Sequence, residues 1–261
     1  MSKKNVKNKC EMIFSKYLII FSFFVTFSNL LIPIAYAEEW VAACEENYPP
    51  YNYIENGEIV GLDAEIVLQV MKKLRKQLKI ETYPWAKVYS KLLDNQIDFA
   101  WQFVGTQERK DLFHLVGPIR YGIDVILVRT DSTVSNWVTL NDFSGMKVGV
   151  IKGYKYHHEF DSANNFKKVE YSNIVRQFEG LLNRKVDFII GDFNVFRYFL
   201  RKNNLSDKIK FLPSSIKKIP RFIAFSNKNK AKAVLFDHYL QEYLKSPEYI
   251  ELLEKYDKMM R

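Results

Sequence analysis

The sequence predicts an α/β protein of two lobes, and three observations carry that prediction. Short apolar runs alternate with amphipathic stretches along the chain, the pattern of layered α/β folds. Residues 38–261 are too many for one typical small domain and suit two of ordinary size. Finally, Leu92-Leu93-Asp94-Asn95-Gln96-Ile97-Asp98-Phe99 is echoed by Leu181-Leu182-Asn183-Arg184-Lys185-Val186-Asp187-Phe188, about a lobe's length further on. Both copies read as the end of a helix, a polar turn, and a strand opening on Asp-Phe. Each lobe is therefore expected to hold a small mixed sheet flanked by helices, and the two to close like a clamshell.

Residues 1–37 read as a cleaved signal peptide. Lys3, Lys4, Lys7, Lys9 and Lys16 give a basic start, an apolar run spans Tyr17–Ile32, and Ala35-Tyr36-Ala37 is a small-residue cleavage site. Ser22, Thr26, Ser28 and Asn29 interrupt the run, which argues against a spanning helix. Cys10 precedes the apolar run and is misplaced for lipidation. Cys44, alone in the mature chain, reads as a small buried apolar residue. Export without a lipid anchor implies a Gram-negative periplasm. Cleavage removes five Lys and Glu11, so the formal charge falls from +9 to +5. That mild excess, with no basic motif, gives no reason to expect nucleic acid.

The elements follow in order. Trp40–Cys44 is a first strand. Pro49-Pro50 forbids a helix there, and Asn56-Gly57 turns a hairpin between Tyr51–Ile54 and Ile59–Val60. Asp63 is expected to cap a helix running to about Gln77, with Ile66, Val67, Val70, Met71, Leu74 and Leu78 on one face. Ile80–Tyr83 is extended, and Pro84 starts a second helix. Asp124–Arg129 and Lys147–Ile151 are strands, Phe211–Phe225 is extended, and Lys230–Met259 is helical with Pro247 opening the last helix. Chain crossovers near Val128–Ser132 and Ser214–Ile223 would form a two-stranded hinge. The lobes are then 38–127 plus 224–261, and 128–223.

No nucleophile–base set stands out. The histidines lack metal-ligand spacing, no glycine loop is built to cradle a phosphate, and neither metal nor cofactor is expected. What remains are loops that follow strands, where open α/β sheets bind ligands. They carry Tyr48, Gln102–Arg109, Gly153–Tyr156 and Asp192, with Trp85 opening its helix. Two aromatics, an arginine and a carboxylate so placed suit a small zwitterion. Arg109 would take a carboxylate in bidentate fashion, Asp192 an ammonium, and Tyr48 and Trp85 the remainder. Each has a plainer alternative: a solvated loop for Arg109, a helix cap for Asp192, turn packing for Tyr48 and core for Trp85.

Over Trp40–Lys258 the chain resembles the bacterial extracellular solute-binding proteins of family 3. The pieces that carry the resemblance are Tyr48-Pro49-Pro50-Tyr51-Asn52-Tyr53, Gly57 through Gly61-Leu62-Asp63, Tyr83-Pro84-Trp85, Ile97-Asp98, Thr106-Gln107-Glu108-Arg109-Lys110, Phe113–Pro118, and Leu140 through Gly145-Met146-Lys147-Val148-Gly149-Val150. The resemblance implies a type II periplasmic-binding fold and a monomeric receptor that takes an amino-acid-like ligand to an inner-membrane ABC permease. It implies that Arg109, with Thr106 on the same loop, holds the α-carboxylate and Asp192 the α-ammonium. Tyr48 and Trp85 become aromatic walls, and Glu45 an acidic position for a basic side chain. Two stretches depart from the family pattern. Trp101-Gln102-Phe103-Val104 lacks the usual small or hydroxyl residues and reads one residue short, and Gly153-Tyr154-Lys155-Tyr156 brings Lys155 toward the cleft. If Lys87 also faced the cleft, an acidic ligand would follow. The alternatives are an exported dehydratase-like enzyme with Glu45 or Asp192 as general acid, or a receptor presenting its ligand to a membrane sensor.

Overall fold

The computed structural model describes residues 38–260, so the signal peptide expected over 1–37 lies outside the described residues. β1 (Glu39–Glu45) leads into a hairpin of β2 (Tyr53–Glu55) and β3 (Glu58–Val60). Asn56 and Gly57 both take positive φ, as a tight hairpin turn demands. α1 (Leu62–Leu74) buries Ile66, Val67, Val70 and Met71 on one face.

Two expectations for α1 are corrected. Its N-cap is Gly61, not Asp63. Gly61 has φ 121°, and a Cβ there would lie 2.4 Å from the Tyr51 carbonyl oxygen, so the turn excludes other residues. Asp63 lies inside the first turn, fully buried, where its Oδ1 accepts from Arg120 Nε at 2.7 Å. The helix also stops early, at a left-handed Arg75, because 77–83 is taken up as β4 (Gln77–Tyr83) along β1. Leu78 is therefore a strand residue.

α2 (Trp85–Leu93) follows Pro84 as expected, then β5 (Phe99–Val104), α3 (Gln107–Leu112) and the long β6 (His114–Arg129). Next come β7 (Lys147–Ile151), α4 (His158–Ser162), β8 (Lys167–Tyr171), α5 (Ile174–Leu182), β9 (Phe188–Asp192) and α6 (Phe193–Lys202). The chain closes with β10 (Ile209–Phe225), α7 (Lys230–Tyr243) and α8 (Pro247–Met260).

The eight main strands form one mixed sheet in the order β4-β1-β5-β10-β6-β9-β7-β8. Its two halves, β4-β1-β5 and β9-β7-β8, are each parallel inside. They are continuous rather than separate sheets because β6 and β10 are long enough to run through both. β10 pairs with β5 over Arg221–Phe225, and β6 pairs with β9 over Asp124–Val128, both antiparallel.

The internal echo is matched bond for bond. Asn95 and Arg184 both turn left-handed, at φ 55° and 57°. Asn95 N donates to the Leu92 carbonyl, and Arg184 N to that of Leu181. Asp98 N donates to the Val41 carbonyl while its Oδ2 accepts from Val41 N at 2.8 Å. Asp187 N donates to the Lys147 carbonyl while its Oδ2 accepts from Lys147 N at 2.7 Å. Each aspartate thus satisfies a backbone group at the start of a neighbouring parallel strand that the ladder leaves open. Cys44 is fully buried and free, as its reading required.

Candidate functional site

Loops at the strand ends enclose a narrow cavity of about 30 Å³. Glu45, Tyr48, Trp85, Gln102, Arg109, Lys155 and Asp192 line it, joined by Val104, Asp124, Tyr154, Tyr156, Gly191 and Arg221. Thr106 lies outside the lining and acts on α3, where its Oγ1 accepts from Arg109 N at 3.3 Å. Lys87 is exposed, over the Tyr83 ring at 4.3 Å, and lines no part of the cavity.

Gln102 explains the odd stretch in β5. The β5–β10 ladder pairs Trp101 with Ile223 and Phe103 with Phe222, which leaves Gln102 as the extra residue of a β-bulge. Its φ is 74°, left-handed for a non-glycine residue. The buried side chain lines the cavity with its amide facing the Asp63 carboxylate, short of a well-formed hydrogen bond.

Arg109 projects from α3 and is 1% exposed. Its guanidinium packs on the rings of Phe103, Tyr89 and Trp85 at 5.1, 5.6 and 5.7 Å. Nη1 donates to the Val104 carbonyl and Nη2 to the Gly153 carbonyl, at 3.3 and 3.1 Å, and Nε has no partner. Burial pulls its pKa down to about 10. A buried cation without a counterion is unfavourable until an anion joins it.

Asp192 ends β9 and caps α6, its Oδ1 accepting from Asn194 N at 3.0 Å and from Tyr51 OH at 3.1 Å. Oδ2 makes no hydrogen bond and lies 3.7 Å from Arg120 Nη1. Arg120 also holds Asp63 and covers the Tyr51 ring at 3.2 Å from the centroid. Beside it, Arg221 Nη2 donates to Asp124 Oδ1 at 3.0 Å, leaving Arg221 Nη1 and Asp124 Oδ2 unpartnered. Burial raises the Asp124 carboxyl to about 6 against the opposing pull of Arg221. Orphaned donors and acceptors thus converge on one chamber, as a ligand carrying both charges requires.

The other end of the chamber is aromatic and saturated. The Tyr154 ring meets Trp85 at 5.8 Å and Tyr48 at 6.2 Å, and its hydroxyl donates to Glu45. Burial pushes the Glu45 carboxyl up to about 8, with the Tyr154 hydrogen bond pulling the other way. Asn52 fixes the Glu45 turn, donating to the Glu45 carbonyl and accepting from Trp101 Nε1 at 3.2 Å. Lys155 sits at the rim, 3.3 Å from Glu108, an exposed pair of small energetic weight.

Tyr154 and Tyr156 lay within a loop the sequence marked, yet neither was singled out. Arg120, Asp124 and Arg221 were missed. Arg120 and Asp124 stand in one extended run and Arg221 in another that also carries Lys210, Lys217 and Lys218, so no lone charge marked them. Among the described residues no group of three His, Cys, Asp or Glu side chains is placed to hold a metal. Nor is any helix there long and apolar enough to cross a membrane.

The pattern that defines the bacterial extracellular solute-binding proteins, family 3, matches residues 41–259. The probable amino-acid-binding protein YxeM of Bacillus subtilis is 26% identical over 174 residues, 65% of this chain and 64% of that protein, so the match spans under two thirds of that relative. The arginine-binding periplasmic protein of Mannheimia haemolytica is 24% identical over 225 residues, 83% of this chain and 90% of that one. Among solved structures, the substrate binding protein of an amino acid ABC transporter superposes with a TM-score of 0.74 at 22% identity. That superposition covers 85% of this chain and all of the other, and carries the two-lobed fold.

Proposed function

The chain belongs to the bacterial extracellular solute-binding proteins, family 3, and from that premise we propose that it captures an amino-acid-like ligand between its lobes in the periplasm and hands it to an inner-membrane ABC importer. One observation carries the reading. Arg109, whose Nε has no hydrogen-bond partner, and Asp192, whose Oδ2 has only the longer ion pair to Arg120, line the same buried chamber. In the bound state Arg109 takes the α-carboxylate and Asp192 the α-ammonium. Gln102 supplies a further donor and acceptor, and Tyr48 and Trp85 wall the side chain, with Glu45 at its far end and Lys155 at the mouth.

The lobes, 38–127 plus 224–261 against 128–223, are carried forward with one adjustment. Pairing to β9 supports moving Asp124–Leu127 into the second lobe, and pairing to β5 supports moving Arg221–Ile223 into the first. The hinge then lies where β6 and β10 leave one half of the sheet for the other. The protein acts as a monomer and as a receptor rather than an enzyme. The relatives named above as amino-acid-binding and arginine-binding proteins support the receptor over the enzyme.

A thermal-shift screen across amino acids, dicarboxylates and polyamines tests this, since a bound ligand raises the midpoint by mass action. At least one α-amino acid should raise it. Shifts from dicarboxylates or polyamines alone would overturn the reading, and turnover of prephenate or arogenate would replace it with the enzyme.

A further inference from the structure

The Gly153–Tyr154 segment occupies three positions that the receptor reading assigns to a ligand. The Gly153 carbonyl accepts from Arg109 Nη2 at 3.1 Å and from Trp85 Nε1 at 3.0 Å. The Tyr154 ring fills the space against Tyr48 and Trp85. The hydroxyl at its tip reaches the Glu45 carboxyl. The segment therefore presents an acceptor, a flat body and a terminal donor to the aromatic end. The polar end beyond them, around Arg109 Nε, Gln102, Asp124 and Asp192, keeps its orphaned atoms.

Local structure accounts for this placement. β7 ends at Ile151, and Gly153 turns left-handed at φ 79°, which sends its carbonyl toward Arg109 and the following side chain into the chamber. Tyr48, Trp85 and Glu45 are buried at 6%, 3% and 4% exposure, while Tyr154 remains partly exposed, the position of a plug in a mouth. The contacts cross from the loop after β7 in the second lobe to residues of the first, so they hold the cleft shut from within.

We propose that Gly153–Tyr154 is a built-in stand-in for the ligand, which closes the empty receptor and must be expelled by an amino acid bearing a long side chain tipped with a hydrogen-bond donor. The proposal rests on the receptor reading. It goes further in making Tyr154 the residue that sets affinity and selects side-chain length. A short side chain cannot reach the slot between Tyr48 and Trp85 and so cannot displace the tyrosine. One ending in a guanidinium or ammonium can, and it replaces a neutral contact at Glu45 with an ion pair.

The test compares the wild-type protein with Tyr154→Ala and Tyr154→Phe in two measurements. In small-angle scattering without ligand, the wild type should be compact and Tyr154→Ala measurably more extended, with Tyr154→Phe between them. Equal dimensions for all three would overturn the stand-in. In calorimetry, L-arginine should bind Tyr154→Ala about tenfold more tightly than wild type, and L-alanine, which the tyrosine excludes from the wild type, should gain at least as much. Weaker L-arginine binding to Tyr154→Ala would make the tyrosine an ordinary wall of the site and overturn the proposal. Absence of amino-acid binding by all three proteins would count against the receptor reading instead, and the scattering comparison still decides the stand-in.

Discussion

The segment α2–turn–β5 and the segment α5–turn–β9 are two versions of one piece of structure, and they part company where the strand ends. Up to that point they agree in turn geometry, in the hydrogen bonds of the turn and in an aspartate that closes a neighbouring parallel strand. Past it, β5 bulges at Gln102 and gives way to α3 and its buried cation Arg109. β9 runs straight into Asp192, the cap of α6. The strands capped by the two aspartates diverge likewise, β1 ending on Glu45 and β7 leading to Tyr154. The lesson is that the scaffold repeats while residues of opposite charge, Arg109 and Asp192, stand beyond equivalent strand ends and line one chamber.

The largest expected effect breaks the chemical half of this comparison. Arg109→Ala should lower affinity for whichever amino acid binds by about a hundredfold or more, since a buried charge pair loses one member. Calorimetry would read it, and unchanged affinity would remove Arg109 from the site.

Glu45 gives a pH signature. Its carboxyl keeps its proton in the folded chain up to about pH 8, held there by burial, whereas in the unfolded chain it ionises in the ordinary carboxylate range. Folding therefore takes up a proton between those values, and stability falls as pH rises through that window. Asp124, raised to about 6, adds the same sign over a shorter span. The thermal midpoint should decline from mildly acidic to mildly alkaline pH, and Glu45→Gln should flatten most of that decline. An equal slope in the variant would contradict the assignment.

Asp98→Ala and Asp187→Ala probe the shared scaffold. Each strips a partner from a strand-opening N–H and should cost about 1–3 kcal/mol in urea unfolding. Asp98 should lie at the upper end, because it also accepts from Asn229 and pairs with Lys232 at 2.9 Å. A negligible effect at either position would break the equivalence of the two copies.

The smallest effect concerns the bulge present in the first copy. Gln102→Gly relieves a left-handed non-glycine residue and should add ~1 kcal/mol of stability, while weakening ligand binding. A stabilised variant with full affinity would make Gln102 a structural bulge alone.

Much of the fold was legible because it is locally written. The prolines, the Asn56-Gly57 turn, the one-sided apolar pattern of α1 and the Asp-Phe echo all act within a few residues. The errors at Asp63 and Leu78 have distant causes. Arg120, 57 positions along the chain, draws Asp63 out of a capping role, and pairing to β1 recruits Leu78 into a strand. The site divides the same way. Arg109, Asp192 and Tyr48 are legible as residues of loops that follow strands, whereas Glu45 is legible only through the family resemblance. Asp124 and Arg221 gain their meaning from the pairing of β6 with β10, which no local pattern announces. Tyr154 stood in a loop already marked as unusual, but its reach to Glu45, 109 residues away, belongs to the closed cleft.

In the proposed complex, Arg109 and Asp192 hold opposite ends of one small zwitterion. That arrangement is tested most directly by titrating the purified protein with L-arginine, with its analogue lacking the α-carboxylate and with its analogue lacking the α-ammonium. L-arginine should bind, and each analogue should bind more weakly by about a hundredfold or more. Equal binding of all three would contradict it.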